Sequence, residues 1–90
     1  MIKLNYKLLK EYINKLKKDK IKEISLKNNI FLSDIELDII YKYIKERYLD
    51  FIKNPNIIIN ELKDKLSKDN YLKLLNIYNQ YKDKIRIYFP

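Results

Sequence analysis

Three acidic side chains at alternate positions have the spacing of metal-binding carboxylates: Asp34, Glu36 and Asp38. A calcium loop of the EF-hand type would need Gly in place of Ile39 and Glu in place of Lys45. Ser33 and Glu36 instead match a capping box, in which the two residues hydrogen-bond reciprocally at a helix N-terminus. We therefore expect these acidic side chains to begin a helix, where they complement its dipole, and not to bind a metal.

Glu61 and Asp64 form a second pair of carboxylates that could serve in general acid–base chemistry. Such chemistry usually needs an orienting His, a defined cleft and oxyanion donors. The sequence contains no His, Cys or Gly, which removes the usual proton shuttles, metal ligands, nucleophiles and phosphate-binding loops. The sequence predicts that the protein is not an enzyme and uses no cofactor and no metal.

Interleaved lysines and tyrosines are the remaining candidates for a binding surface. The predicted N-terminal helix carries a basic face: Lys3, Lys7, Lys10 and Lys17. A second set lies off the predicted core stripes and could form an exposed apolar contact: Ile57, Ile87, Tyr88 and Phe89. Tyr41, Tyr43 and Tyr81 lie next to lysines and could stack on bases, but the positions of most tyrosines on inward stripes favour core packing.

The composition weakens any argument from charge alone. Six residue types with codons built from A and T occupy 69 of the 90 positions, which is typical of an AT-rich bacterial genome. The net charge of +8 and the nine tyrosines therefore follow first from codon usage. A hydrophobic content of 47% with 36% charged residues fits one globular domain over residues 1–90. A basic protein remains suited to acidic partners such as nucleic acid or an acidic protein face.

The sequence predicts neither a membrane span nor a signal peptide. No stretch approaches the roughly 20 apolar residues of a membrane span, and lysines interrupt the apolar residues at the N-terminus, where a signal peptide would have a continuous apolar run. The lack of Cys fits a reducing compartment. We expect a cytoplasmic protein without membrane contact.

The elements that carry these residues are predicted to be helices, because apolar residues recur at spacings of three and four and the only prolines are Pro55 and Pro90. The expected fold is an all-α bundle of about five helices over residues 3–18, 20–28, 34–49, 55–66 and 68–84. The third helix is apolar on more than half of its circumference, so we expect it at the centre. Two stacked helical hairpins with an additional N-terminal helix are one arrangement of these elements.

Local signals set the expected boundaries. Ser33 and Ser67 have the positions of N-caps, and Asp19 is the expected cap of the second helix. Asn54 and Pro55 are a cap followed by proline at the first helical position. Asn28 or Asn29 is the expected left-handed stop in a chain without Gly. Ser33 and Ser67 also belong to a weak internal repeat with an offset of 34 residues.

Inward-facing side chains follow from the same periodicity. In the second helix we expect Ile21, Ile24 and Leu26 to face the core. Further inward positions are expected on the first, third and last helices: Tyr6, Ile40, Ile44, Leu74 and Tyr81.

Several segments resemble the YqfT-like family of small uncharacterised helical proteins from low-GC Gram-positive bacteria. They are residues 26–40 (LKNNIFLSDIELDII), Asp50 and Phe51, residues 60–63 (NELK) and residues 75–81 (LNIYNQY). The chain departs from the family in lacking Ala, Thr and Val. The resemblance implies a helical fold in a bacterial cytoplasm and implies no functional residue, because the family has no assigned activity.

These observations leave three hypotheses about function. The first is a small interaction or regulatory module that binds another protein. The second is a basic protein that contacts the phosphate backbone of a nucleic acid, and the third is an inhibitor encoded by a mobile element. Self-association stays open at this point.

Overall fold

Five helices make up the computed structural model, which describes the backbone of residues 6–88 and the side chains of residues 6–83. They are α1 (Tyr6–Lys15), α2 (Lys18–Lys27), α3 (Asp34–Lys53), α4 (Pro55–Leu62) and α5 (Lys68–Tyr88). No strand occurs within residues 6–88. The predicted all-α fold of about five helices is confirmed.

Helix α1 ends at Lys15, three residues before the predicted end, and a lysine from α3 caps its last turn. Lys45 Nζ donates to the carbonyl oxygens of Ile13 and Asn14, at 2.5 and 2.7 Å. A cation at these positions satisfies acceptors that the helix leaves free and complements the negative end of its dipole. The contact also joins α1 to α3.

The start of α2 differs from the prediction. Its N-cap residue is Lys17, whose extended backbone (φ −111°, ψ 157°) makes no side-chain capping bond. Asp19, the predicted cap, lies in the first turn instead. Because α1 stops at Lys15, the chain can turn earlier than expected, and α2 begins at Lys18.

The end of α2 confirms the predicted asparagine stop. Asn29 has the left-handed backbone conformation, with φ of 59°, which Asn tolerates better than other side chains with a Cβ. The turn then places Ile30 in the core at 3% exposure. The connection between α2 and α3 is therefore anchored by a buried side chain.

Helix α3 is longer than predicted and contains a kink. It continues to Lys53, and Arg47 has non-helical backbone angles (φ −128°, ψ 20°). It stops before Asn54 because a residue that precedes proline is disfavoured in the helical region. Asn54 lies at the predicted cap position of α4, but its side chain makes no capping hydrogen bond.

The last two helices begin at the predicted residues but end at different ones. Helix α4 ends at Leu62, four residues early, and a turn leads to the buried Leu66. The Ser67 hydroxyl accepts a hydrogen bond from the backbone N–H of Asn70 at 3.2 Å, so Ser67 caps α5 as predicted. Helix α5 then continues to Tyr88, beyond the predicted end at residue 84.

Packing is centred on α3, which contacts α1, α2 and α4, and the expectation of a central third helix is confirmed. Among the described residues, all six buried apolar side chains come from the helices and connections around it: Ile13, Leu16, Ile21, Ile30, Ile58 and Leu66. Two expected core residues of α2, Ile24 and Leu26, are exposed. A helix that packs against one neighbour buries a narrow stripe, and Ile24 lies about 60° from Ile21 around the helix axis.

Candidate binding groove

A polar cluster holds the N-termini of α3 and α5 together. The carboxylate of Glu36 accepts hydrogen bonds from the backbone N–H of Ser33 at 3.0 Å and of Ser67 at 2.8 Å. It also accepts a bond from the side-chain amide of Asn70 at 3.0 Å. The same Asn70 amide donates to the carbonyl of Phe31. One carboxylate thus satisfies donors at the starts of two helices.

Glu36 and Asn70 are polar, yet both are buried, with exposures of 9% and 5%. Burial on its own raises the pKa of Glu36, but the bonds from Ser33, Ser67 and Asn70 together lower this pKa below its ordinary value. The ionised carboxylate is therefore a structural group. The predicted capping box of Ser33 and Glu36 is confirmed.

An open apolar cavity of about 390 Å³ lies beside α3. Four helices contribute to it, and only one of the described lining side chains is charged. The lining residues are Leu9 and Ile13 of α1; Ile40, Tyr43, Ile44, Arg47, Tyr48, Phe51 and Ile52 of α3; Ile58 and Leu62 of α4; and Leu74 of α5.

A second apolar cavity, of about 250 Å³, adjoins the first between α4 and α5. Three side chains line both: Phe51, Leu62 and Leu74. Phe51 also packs edge-to-face on Tyr78 of α5, with ring centroids 5.8 Å apart. We call the two cavities together the apolar groove. Its size and lining are typical of ligand or peptide sites, which are roughly 300–1,000 Å³ and mostly apolar.

One polar contact group borders the groove at the kink of α3. Arg47 pairs with Glu61 of α4 and, at 3.1 Å, with Asp50, and its guanidinium lies 5.6 Å from the ring centroid of Tyr43. The Tyr43 hydroxyl donates to Glu61 at 3.1 Å. The bond from Arg47 lowers the pKa of Glu61, whereas burial and the bond to Glu61 raise the pKa of Tyr43.

Charge is unevenly distributed over the helices that line the groove. By sequence, α1 and α5 carry net charges of +2 and +3, whereas α3 and α4 each carry −1. Helix α2, which lines neither cavity, carries +2. The apolar lining from α3 and α4 is therefore accompanied by basic helices.

The four lysines of the predicted basic face do not all lie on α1. Lys7 and Lys10 are exposed on α1, whereas Lys17 is exposed in the connection to α2. Lys3 lies outside the described residues. Because α1 ends at Lys15, the structure does not extend the basic face along one helix as far as Lys17.

Of the four predicted apolar contact residues, Ile57 has a described side chain, and it does not line the groove. Ile57 is 52% exposed on α4. Ile87 and Tyr88 belong to the last turn of α5, but their side chains, like the whole of Phe89, lie outside the described part.

The groove itself is the site that sequence reasoning missed, because most of its lining residues follow the inward stripes and were expected to form a closed core. Ile40, Ile44 and Leu74 are only half-buried. Tyr6 and Tyr81, also expected inside, are 52% and 48% exposed. Periodicity identifies the face that turns inward, but it does not show whether another element covers that face.

Other kinds of site receive no support from the described residues. Within that part of the chain, no group of three or more His, Cys, Asp or Glu could hold a metal ion. None of its helices is long and apolar enough to cross a membrane. No protein family, curated protein or solved structure matches the chain. Membership of the YqfT-like family therefore stays a prediction.

Proposed function

We propose that this protein is a small non-enzymatic interaction module that binds another protein through the apolar groove. The observation that carries the proposal is a groove formed by four helices, with a nearly continuous apolar lining. Exposed apolar surface of this kind is costly in water and is typical of interaction sites. Burying it against a partner would supply the main favourable free energy of binding.

The contacts around the groove support a pre-formed site. Helix α5 is held at its start by the hydrogen bonds from Ser67 and Asn70 to Glu36. Lys73 Nζ adds a bond to the carbonyl of Asn29 at 2.9 Å, and Phe51 packs on Tyr78 further along the helix. A groove with fixed walls loses little conformational entropy when a partner binds.

The test compares two substitutions on the same helix. Leu74→Lys places a charge in the groove, whereas Leu72→Lys places the same charge at a site that is 51% exposed and lines neither cavity. Each tagged protein is used to capture partners from nuclease-treated extract of the source cells, with quantification by mass spectrometry. We expect a set of proteins that binds wild type and Leu72→Lys and is lost with Leu74→Lys.

A second groove substitution guards against loss of folding as the explanation. Ile77 also lines the groove, so Ile77→Lys places a charge there at a second position. Thermal unfolding followed by circular dichroism gives the temperature range in which each variant is folded. Protein partners that remain on both folded groove variants would contradict the proposal. Proteins that are captured only from a parallel extract without nuclease treatment would instead favour the nucleic-acid hypothesis.

A further inference from the structure

We infer that the segment received by the groove is an amphipathic helix with acidic residues beside its apolar face. The inference rests on the proposed function and specifies the chemistry of the partner. It follows from two independent features of the groove, which are its apolar lining and the charge of the helices that contribute to it.

The lining selects an apolar helix face. Phe51, Leu62 and Leu74 connect the two cavities into one continuous apolar surface. A helix presents side chains at spacings of three and four along one face, and apolar grooves between helices bind such faces. An extended strand would leave its backbone N–H and C=O groups unpaired against this lining, at a cost for each buried group.

The charges of the surrounding helices favour acidic residues beside the apolar face of the bound helix. Helix α1 has three lysines against one glutamate, and the described side chains of α5 include three lysines against two aspartates. Residues that flank the apolar face of a bound helix would meet these basic helices, so carboxylates there are attracted and lysines are repelled. Such long-range charge interactions mainly affect the association rate and the choice of partner.

A single-stranded nucleic acid fits the same groove less well. Tyrosines in the lining could stack on bases, but α3 and α4 each carry a net negative charge. Arg47 is the charged side chain among the described residues that line the first cavity, and it is already paired with Asp50 and Glu61. Phosphates placed deep in the groove would thus meet an apolar lining whose described cation, Arg47, is already paired.

The experiment uses two designed peptides and the full chain. Each peptide is a helix of about 16 residues, roughly 24 Å long, with leucines at spacings of three and four. One carries glutamates beside the leucines and the other carries lysines at the same positions. Fluorescence anisotropy should show at least about tenfold tighter binding of the acidic peptide at about 50 mM salt, with a smaller ratio at about 200 mM because salt screens the charges.

Charge-reversal variants test the contribution of the basic helices. Lys10→Glu on α1 and Lys82→Glu on α5 should each reduce the preference for the acidic peptide. Lys22→Glu is the matched control, because it changes the net charge equally on α2, which lines neither cavity. An equal effect of all three substitutions would show that only total charge matters, and that result would overturn the inference.

The remaining outcomes separate this inference from the proposed function. Equal binding of both peptides, abolished by Leu74→Lys, would overturn the acidic preference and leave the protein-binding groove in place. Failure of both peptides to bind, or binding that Leu74→Lys does not change, would count against both. A single-stranded oligothymidylate of about 20 nucleotides that competes with the acidic peptide and retains its affinity at about 200 mM salt would assign the groove to nucleic acid.

Discussion

Glu36 and Asn70 hydrogen-bond each other at 3.0 Å, and each is the third residue after the serine that caps its own helix. The pair joins the starts of α3 and α5 in the interior of the protein. Because the backbone N–H of Ser67 also donates to Glu36, one side chain positions the starts of two of the helices that line the groove. The stability of the fold should therefore depend strongly on this single carboxylate.

Replacing Glu36 by Gln should lower the free energy of unfolding by roughly 1–3 kcal/mol, the usual cost of an unsatisfied buried polar group. Ser33, Ser67 and Asn70 all donate to the carboxylate, whereas an amide offers one acceptor oxygen and brings a donor of its own. Urea unfolding measures the effect. Glu46→Gln, at an exposed position of α3, is the control and should change stability little.

The stability that Glu36 contributes should depend on pH in a definite direction. The pKa of Glu36 is lowered in the folded protein, so its contribution to stability is present above the unfolded value near 4.3 and is lost as the pH falls through the folded pKa. The stability difference between wild type and Glu36→Gln should therefore shrink between about pH 5 and pH 3. A difference that stays constant over this range would show that the charge of Glu36 contributes nothing.

Asn70→Asp should show the opposite trend. A second carboxylate beside Glu36 would bring two like charges together in the interior, so the pKa of the pair rises and the variant is destabilised at neutral pH. Lowering the pH lets the two carboxyl groups share a proton, and the variant should recover stability relative to wild type. Asn76→Asp, exposed on the same helix, should show no such recovery in urea unfolding.

Lys45→Met should release the end of α1. The ammonium bonds to the carbonyls of Ile13 and Asn14 disappear, and we expect a loss of roughly 1–2 kcal/mol for capping bonds to a charged group. Hydrogen exchange should accelerate most in α1. Lys42→Met, at an exposed position of α3, should leave the exchange of α1 unchanged, and equal acceleration in both variants would contradict this role for Lys45.

Binding of DNA or RNA should be weak and independent of sequence. Contacts between lysines and phosphates release counterions, so affinity should fall by orders of magnitude between about 50 and 200 mM salt if six or more contacts form. Replacing Lys3, Lys7, Lys10 and Lys17 by Gln should remove this binding without unfolding the protein. Anisotropy with labelled duplexes measures it, and tight sequence-selective binding near physiological salt would favour the nucleic-acid hypothesis.

The sequence by itself determined the class of fold and the starts of α3, α4 and α5. Apolar spacing, the capping residues Ser33 and Ser67, and the asparagine stop at Asn29 depend on interactions within a few residues, and all of them are present in the structure. The repeat of 34 residues also placed Asn70 at the position that corresponds to Glu36, although their contact could not be foreseen from either helix alone.

The tertiary structure decided the features that depend on residues distant in sequence. Lys45 lies about 30 residues from the carbonyls that it caps, so no local pattern could place the end of α1 at Lys15. Ile24 and Leu74 have the spacing of core residues, yet one is exposed and the other lines an open groove. Periodicity gives the direction of a side chain, whereas burial depends on whether a second element covers it, and that depends on the packing of the whole chain.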